Sequence, residues 1–383
     1  MSPHAEFDIV VYGASGYTGR LVAEHLAQRY GVSGELKWAI AGRSAAKLAA
    51  ARDEIGVPAD TPLLIADAAD PASLRDMVRR TRTVLTTVGP YQLYGADLVA
   101  ACVEAGTDYL DLCGEPNWMR RMIDAHEAQA KASGARILFS CGFDSIPFEL
   151  GVWFCQETAR KMLGAPVPRV KGRIRAFEGR PSGGSLASGK AMMDAVQKDP
   201  AQMAVMMSPF GLTPGFEGAV QPAAAAPETD PDVGEVAPFM MAVINTKNVH
   251  RSNLLMGHPY GRDFVYDEMI VLGPGGAAGF TDLSFQLSAG PKPGEGPTKE
   301  QREVGCFDVL FIGIATDGRQ VRVSVNSDED PGYGSTSKMI AETAICLVRA
   351  RDVPGGVWTP GAALQGRLLD RLQQHAGLRF AGG

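Results

Sequence analysis

Over the first 150 residues, short apolar runs alternate with longer runs of mixed polarity. The apolar runs fall at residues 7–12, 36–41, 63–66, 83–88, 107–112 and 136–140, each four to six residues long. They lack the polar alternation of a sheet wetted on one face, so they predict strands buried on both sides. Between them, residues 18–30, 45–55, 71–81, 95–105 and 116–133 read as helices. Asp70-Pro71 marks one helix start, an N-cap residue followed by proline at the first helical position. Strands that alternate with helices over short connections predict an α/β fold with a parallel, doubly wound sheet.

Beyond Pro147 the rhythm changes. Residues 170–177 read as a strand and 184–197 as a helix. Residues 199–235, rich in Pro, Ala and Gly, show little periodicity and predict a long excursion, a lid or a partner-contacting arm. Strand-like runs return at 264–272, 304–316 and 320–326, and Asp317-Gly318 between the last two suits a two-residue hairpin turn. A second, mixed α+β domain with a mostly antiparallel sheet is expected. Helical spacing resumes at 335–351 and 362–375, and these helices are expected to return and pack on the first domain. With 383 residues, the chain exceeds what one core of about 250–300 residues holds. The expected division is 1–147, 148–332 and 333–383.

Charge and cysteine usage narrow the function. Lys and Arg number 37 against 43 Asp and Glu, and a net charge of −6 argues against a nucleic-acid partner or a polybasic route to membranes. No stretch approaches the roughly 20 apolar residues of a membrane span. The N-terminus, Met1-Ser-Pro-His-Ala-Glu-Phe7, is too polar for a signal peptide. Six cysteines are scattered without CxxC or metal-ligand spacing, so no metal site is expected and the cytoplasm is the default location.

Gly13-Ala-Ser-Gly16-Tyr-Thr-Gly19 follows the first strand and opens the first helix. Glycines at these positions permit a tight turn, close approach of backbone to a diphosphate, and close helix–sheet packing. The helix N-terminus then holds the phosphates, with Ser15, Tyr17 and Thr18 in the turn. NAD-type sites place an acid at the end of the second strand, but here it ends Ala41-Gly42-Arg43-Ser44, with Lys47 one helical turn on. Arg43, helped by Ser44 and Lys47, suits a 2′-phosphate and therefore NADP. Asp67, after the third strand, flanks the adenine or serves as a helix-entry residue.

GASGYTGR, AGRSAAKL, VGPYQLYG, YLDLCGEP, SCGFDSIPFELG and VWTPGAAL together resemble the saccharopine dehydrogenase-like oxidoreductases, in the branch that includes trans-acting enoyl reductases. The resemblance is dense up to Pro147, thin from about 198 to 300, and clear again near the C-terminus. It implies an NADP-binding Rossmann domain, a smaller mixed domain, and reduction of enoyl groups on lipid or polyketide intermediates held by a carrier protein. The thin stretch falls in the substrate or partner region, so substrate identity does not carry over; the Gly-rich 271–280 departs from the hydrophobic stretch of the animal relatives.

Candidates for chemistry lie at the carboxyl ends of the later strands. Val88-Gly89-Pro90-Tyr91 should pass near the nicotinamide, where Tyr91 either donates a proton or packs against the cofactor. After the fifth strand Gly114 makes a turn, and Glu115 either binds the nicotinamide ribose or carboxamide or caps the following helix. Asp144 and Ser145 either orient substrate and relay a proton or form an ordinary N-cap before Pro147. Ser182 and Ser185 can face a thioester carbonyl, with capping the duller role for Ser185; His250 and His258 fall in loop-like sequence. The expected partner is a small-molecule or carrier-bound acyl substrate, with a homo-oligomer left open. A C=N or amino-acid oxidoreductase using Arg173, Arg175 and Arg180, and a non-catalytic NADP-binding adaptor, remain the alternatives.

Overall fold

A computed structural model describes residues 5–32, 34–273, 291–292 and 294–382. In its first sheet β1 (Phe7–Tyr12) lies between β2 (Trp38–Gly42) and β4 (Thr81–Thr86). β3 (Leu63–Ile65) flanks β2, while β5 (Asp108–Leu110), β6 (Arg136–Leu138) and β13 (Gly356–Trp358) extend the other side. All neighbouring pairs are parallel. The helices between are α1 (Tyr17–Tyr30), α2 (Ala45–Glu54), α3 (Pro71–Arg79), the single turn α4 (Tyr91–Tyr94), α5 (Ala96–Ala105) and α6 (Pro116–Ser133). Asp70 caps α3 by accepting the Ala72 amide, with Pro71 at the first position. The chain is thus an α/β protein with a Rossmann-type first sheet.

The second sheet runs β14 (Arg379–Gly382), β12 (Gln320–Ser327), β11 (Cys306–Ile314), β7 (Arg169–Glu178), β10 (Val265–Val271), β9 (Gly234–Pro238), β8 (Glu228–Asp230). Among the described residues only β7 and β10 pair in parallel in this sheet, so it is mixed. α7 (Ile146–Leu163) joins the two sheets. It buries residues on nearly every face, and a Cβ on Gly151 would lie 2.2 Å from the Phe311 ring of β11. Phe143, just ahead of α7, meets Phe148 and Phe307 with ring centroids 5.3 and 5.0 Å apart, so one continuous core links the sheets.

Several stretches differ from the expectation. The segment 199–235 is not a bare excursion: it holds α9 (Ala201–Met207), β8 and the start of β9, after α8 (Gly183–Lys198). His250 lies in a helix, α10 (Ala242–Leu255), rather than a loop. That helix escapes a search for apolar periodicity because its buried face is polar, with Asn245, Asn248, His250, Arg251 and Ser252 all buried. After α11 (Lys299–Glu303) and the π-helical turn Pro331–Ser335 come α12 (Thr336–Arg349) and α13 (Pro360–His375). α12 packs on α1: the buried Glu342 carboxylate meets His25 Nε2 at 2.7 Å and accepts from the Tyr30 hydroxyl at 2.8 Å and Arg371 at 2.7 Å. The C-terminal segment also supplies β13 and β14, one strand to each sheet, three and four residues long and too short to carry a pattern. Most of the Gly-rich 271–280 stretch lies outside the described residues.

Candidate active site

At the end of β1 the chain turns at Gly13, where φ is +95° and a Cβ would lie 2.8 Å from Thr87 Oγ1. A Cβ on Gly19 would sit 2.3 Å from the Gly13 carbonyl oxygen, so glycine is what lets α1 approach the strand this closely. α1 begins after Gly16 with no side-chain cap and no acid in its first turn. Its leading amides, around Ser15, Tyr17 and Thr18, are therefore left to an anion. This narrow, uncapped turn fits the diphosphate of a dinucleotide. The Tyr17 hydroxyl points elsewhere, donating to the Pro297 carbonyl at 2.5 Å.

Beyond β2, Arg43 is exposed and forms no ion pair among the described residues. Ser44 caps α2, its hydroxyl accepting the Lys47 amide at 3.4 Å, while the Lys47 side chain is exposed. Asp67 makes a turn, its Oδ1 accepting the Ala69 amide at 3.0 Å. The Tyr12 hydroxyl lies near these charges, and burial, reinforced by Asp67, pushes it up to about 12.

The loop after β4 is held by a contact that the residues alone did not suggest. The Glu115 side chain makes no cap on its own helix. Its carboxylate accepts the amides of Tyr91 at 3.0 Å and Gln92 at 2.8 Å, so it caps α4 and ties the β5 loop, with Gly114, to Val88-Gly89-Pro90. Tyr91 is 5% exposed. Its hydroxyl accepts the Leu112 amide at 3.1 Å and faces the Thr86 carbonyl, and its ring lies against Trp118. Asp111, which had no signal within the apolar YLDLC run, accepts the amides of Cys113 and Ser140 and the Tyr109 hydroxyl. Burial raises its carboxyl to about 7.

Beyond β6, Asp144 and Ser145 part company. The Ser145 hydroxyl is buried and accepts from Asn248 of α10 at 2.8 Å, and neither residue caps α7 through its side chain. Asp144 Oδ1 is buried without a hydrogen-bond partner, and burial raises the carboxyl to about 7. Close to it, Glu268 of β10 is fully buried, accepting from Asn245 and the Tyr266 hydroxyl at 2.9 Å each, and burial raises it to about 8. Asn245 and Asn248, three residues apart on one face of α10, thus tie the second sheet to the end of β6.

α8 overhangs the same edge. A Cβ on Gly89 would lie 3.4 Å from Ser188 Oγ. Ser182, not Ser185, caps α8; the Ser185 hydroxyl pairs with Tyr333 at 2.7 Å. Two of the arginines that an amino-acid substrate would require are already paired. Arg173 is buried between Asp230 and Asp267, at 2.8 Å from each, and Arg175 meets Asp308 at 2.8 Å. Among the described residues no cluster of His, Cys, Asp or Glu could hold a metal, and no helix is long and apolar enough to cross a membrane. The structure thus gathers the ends of β1, β2, β4, β5 and β6 along one edge, where an open α/β sheet binds ligands.

Comparison with known proteins agrees with that geometry. Residues 9–138 match the saccharopine dehydrogenase NADP-binding domain family. A candidate trans-acting enoyl reductase of Mycobacterium tuberculosis is 38% identical over 96% of this chain and 95% of its own. The trans-acting enoyl reductases of Mycobacterium ulcerans and Mycobacterium tuberculosis are 36% and 37% identical, covering 97% of both chains in each case. Among solved structures, yeast saccharopine dehydrogenase (L-Glu forming) shares the fold, with a TM-score of 0.57 at 11% identity over 98% of this chain and all of its own. A homospermidine synthase of Legionella pneumophila, solved with NAD, reaches 0.54 at 8% identity over 99% of this chain and 92% of its own. With its dinucleotide-binding first domain and full-length relatives, the chain belongs to the saccharopine dehydrogenase-like oxidoreductases.

Proposed function

We propose that the protein is an NADPH-dependent reductase of an activated C=C bond in an acyl thioester, offered free or on a carrier protein. What carries this reading is its full-length similarity to relatives named trans-acting enoyl reductases, on a chain whose first domain belongs to an NADP-binding family.

Bound at the α1 turn, the dinucleotide would supply the hydride. Gly13, Gly16 and Gly19 would seat its diphosphate, and Arg43, with no acid beside it at the end of β2, would take the 2′-phosphate, with Lys47 adding charge. The Val88–Pro90 backbone, braced by Glu115, would position the nicotinamide end. Asp144 holds its proton close to neutral pH because its carboxyl is buried. It is the group we assign to protonate the substrate α-carbon, with the buried Glu268 close by. Ser145 positions rather than reacts, since its hydroxyl is held by Asn248. The pairing of Arg173 and Arg175 with acids weighs against an amino-acid substrate.

The test is NADPH consumption with crotonyl-type thioesters, free and carrier-bound, beside a panel of imines and amino acids. Saturable turnover of the enoyl thioesters is expected. Turnover of the imine or amino-acid panel alone would overturn the reading, and tight NADPH binding without turnover of either would favour an adaptor.

A further inference from the structure

The diphosphate turn at α1 is overlain by a segment that the first domain does not supply. Tyr17, the first residue of α1, projects its ring beyond the helix N-terminus, as helical side chains do. Gly296 packs against that ring, and a Cβ there would lie 2.5 Å from it. The Tyr17 hydroxyl donates to the Pro297 carbonyl, and Arg302 Nη1 donates to both the Tyr17 hydroxyl and that carbonyl, each at 3.0 Å. Tyr333 meets the ring edge-on at 5.1 Å, and the Glu295 carbonyl accepts the Gly183 amide at the start of α8. A reciprocal capping box between Thr298 and Gln301 fixes α11 and with it Arg302.

The electrostatics are one-sided. A helix N-terminus carries roughly half a positive charge, which disfavours a nearby cation. Yet a guanidinium is held at this end of α1, with no ion pair among the described residues and with Nε and Nη2 bonded to no described protein acceptor. Glu300 feels the Arg302 charge without pairing with it, and Asp330, beside Tyr17, is already occupied by the amides of Tyr333 and Gly334. A dianionic diphosphate between the helix end and Arg302 would match both charges.

We propose that Arg302 supplies a second-domain cation to the diphosphate of the dinucleotide, and that Tyr17 positions its guanidinium. The inference rests on dinucleotide binding at α1 and is independent of the acyl substrate. Arg302 lies far outside the 9–138 match, so the second domain contributes to holding the cofactor as well as the substrate.

The test is a fluorescence titration of NADPH and NADH against the wild-type chain, Arg302→Ala, Arg302→Lys and Tyr17→Phe. Loss of a charge-assisted bond predicts about a tenfold or greater rise in Kd for Arg302→Ala, by the same factor for both dinucleotides because both carry the diphosphate. Arg302→Lys should recover part of the affinity, and Tyr17→Phe, which removes the positioning contact alone, should lose less than Arg302→Ala. Unchanged Kd values in a folded Arg302→Ala, shown by an undiminished melting temperature without cofactor, would overturn the proposal. So would a loss confined to NADPH, which would place Arg302 at the 2′-phosphate. A wild-type chain that bound neither dinucleotide would instead overturn the cofactor reading on which the proposal stands.

Discussion

Glu115 and Tyr91, twenty-four residues apart, meet through the Glu115 carboxylate and the Tyr91 amide at 3.0 Å, with the Gln92 amide on the second oxygen at 2.8 Å. One buried carboxylate thereby sets the path of the Val88–Pro90 loop and fastens it to β5. Glu115→Gln keeps one acceptor but turns an NH2 group toward a backbone amide, stranding a buried donor. A loss of about 1–3 kcal/mol in urea unfolding is expected, with weaker dinucleotide binding. Unaltered unfolding and binding would mean that the loop holds its shape without this cap.

Arg43 gives the clearest cofactor prediction. Arg43→Ala should weaken NADPH by roughly ten- to a hundredfold while leaving NADH nearly unchanged, because only NADPH carries the 2′-phosphate. Parallel titrations check it, and equal losses would remove Arg43 from the phosphate site. The contrast with Arg302→Ala, expected to weaken both dinucleotides alike, separates the two cations.

Asp144→Asn removes the proposed proton donor without altering its size. Turnover of enoyl thioesters should fall by about 10²–10⁴, with NADPH affinity preserved. In the wild type the rate should decline as pH rises past about 7, as Asp144 loses its proton. A variant that keeps full turnover with the same pH profile would show that another group delivers the proton.

Stability should depend on pH in the unusual direction. Burial raises Asp111, Asp144 and Glu149 to about 7 and Glu268 to about 8, above their unfolded values. Between those limits the folded chain binds more protons than the unfolded one, so unfolding free energy falls as pH rises. His250, driven by burial to about 3, works against acid instead, its contribution being lost as pH drops below its unfolded value of 6.5. Urea midpoints should therefore decrease from pH 6.5 to 8.5, and Glu268→Gln should flatten that slope. A midpoint rising across this window would contradict the assignment.

Glu342 joins α1, α12 and α13 through His25, Tyr30 and Arg371. Glu342→Ala leaves the buried Arg371 uncompensated and should destabilise the chain by about 3–5 kcal/mol. The seating of the C-terminal helices on the first domain would be lost first, measurable as faster hydrogen exchange in α12.

The sequence by itself determined the first six strands and the glycine turn after β1, because both are written locally. Strands buried on both faces must be apolar throughout, so β1 is legible as FDIVVY. Close approach of helix to strand admits only glycine at 13 and 19, so the motif is legible as spacing. The absence of an acid beside Arg43 is equally a local fact. What tertiary structure decided are the pairings between distant segments: Glu115 with the Tyr91 amide, Asn248 with Ser145, Arg302 with Tyr17, and β13 and β14 with sheets begun far upstream. Each satisfies polar groups, several of them stripped of water by folding, and many side chains could offer the same hydrogen bond. α10 shows the principle at the scale of an element. Its buried face is polar, so it could be recognised as a helix only once Glu268, Ser145 and Glu149 stood opposite to receive it.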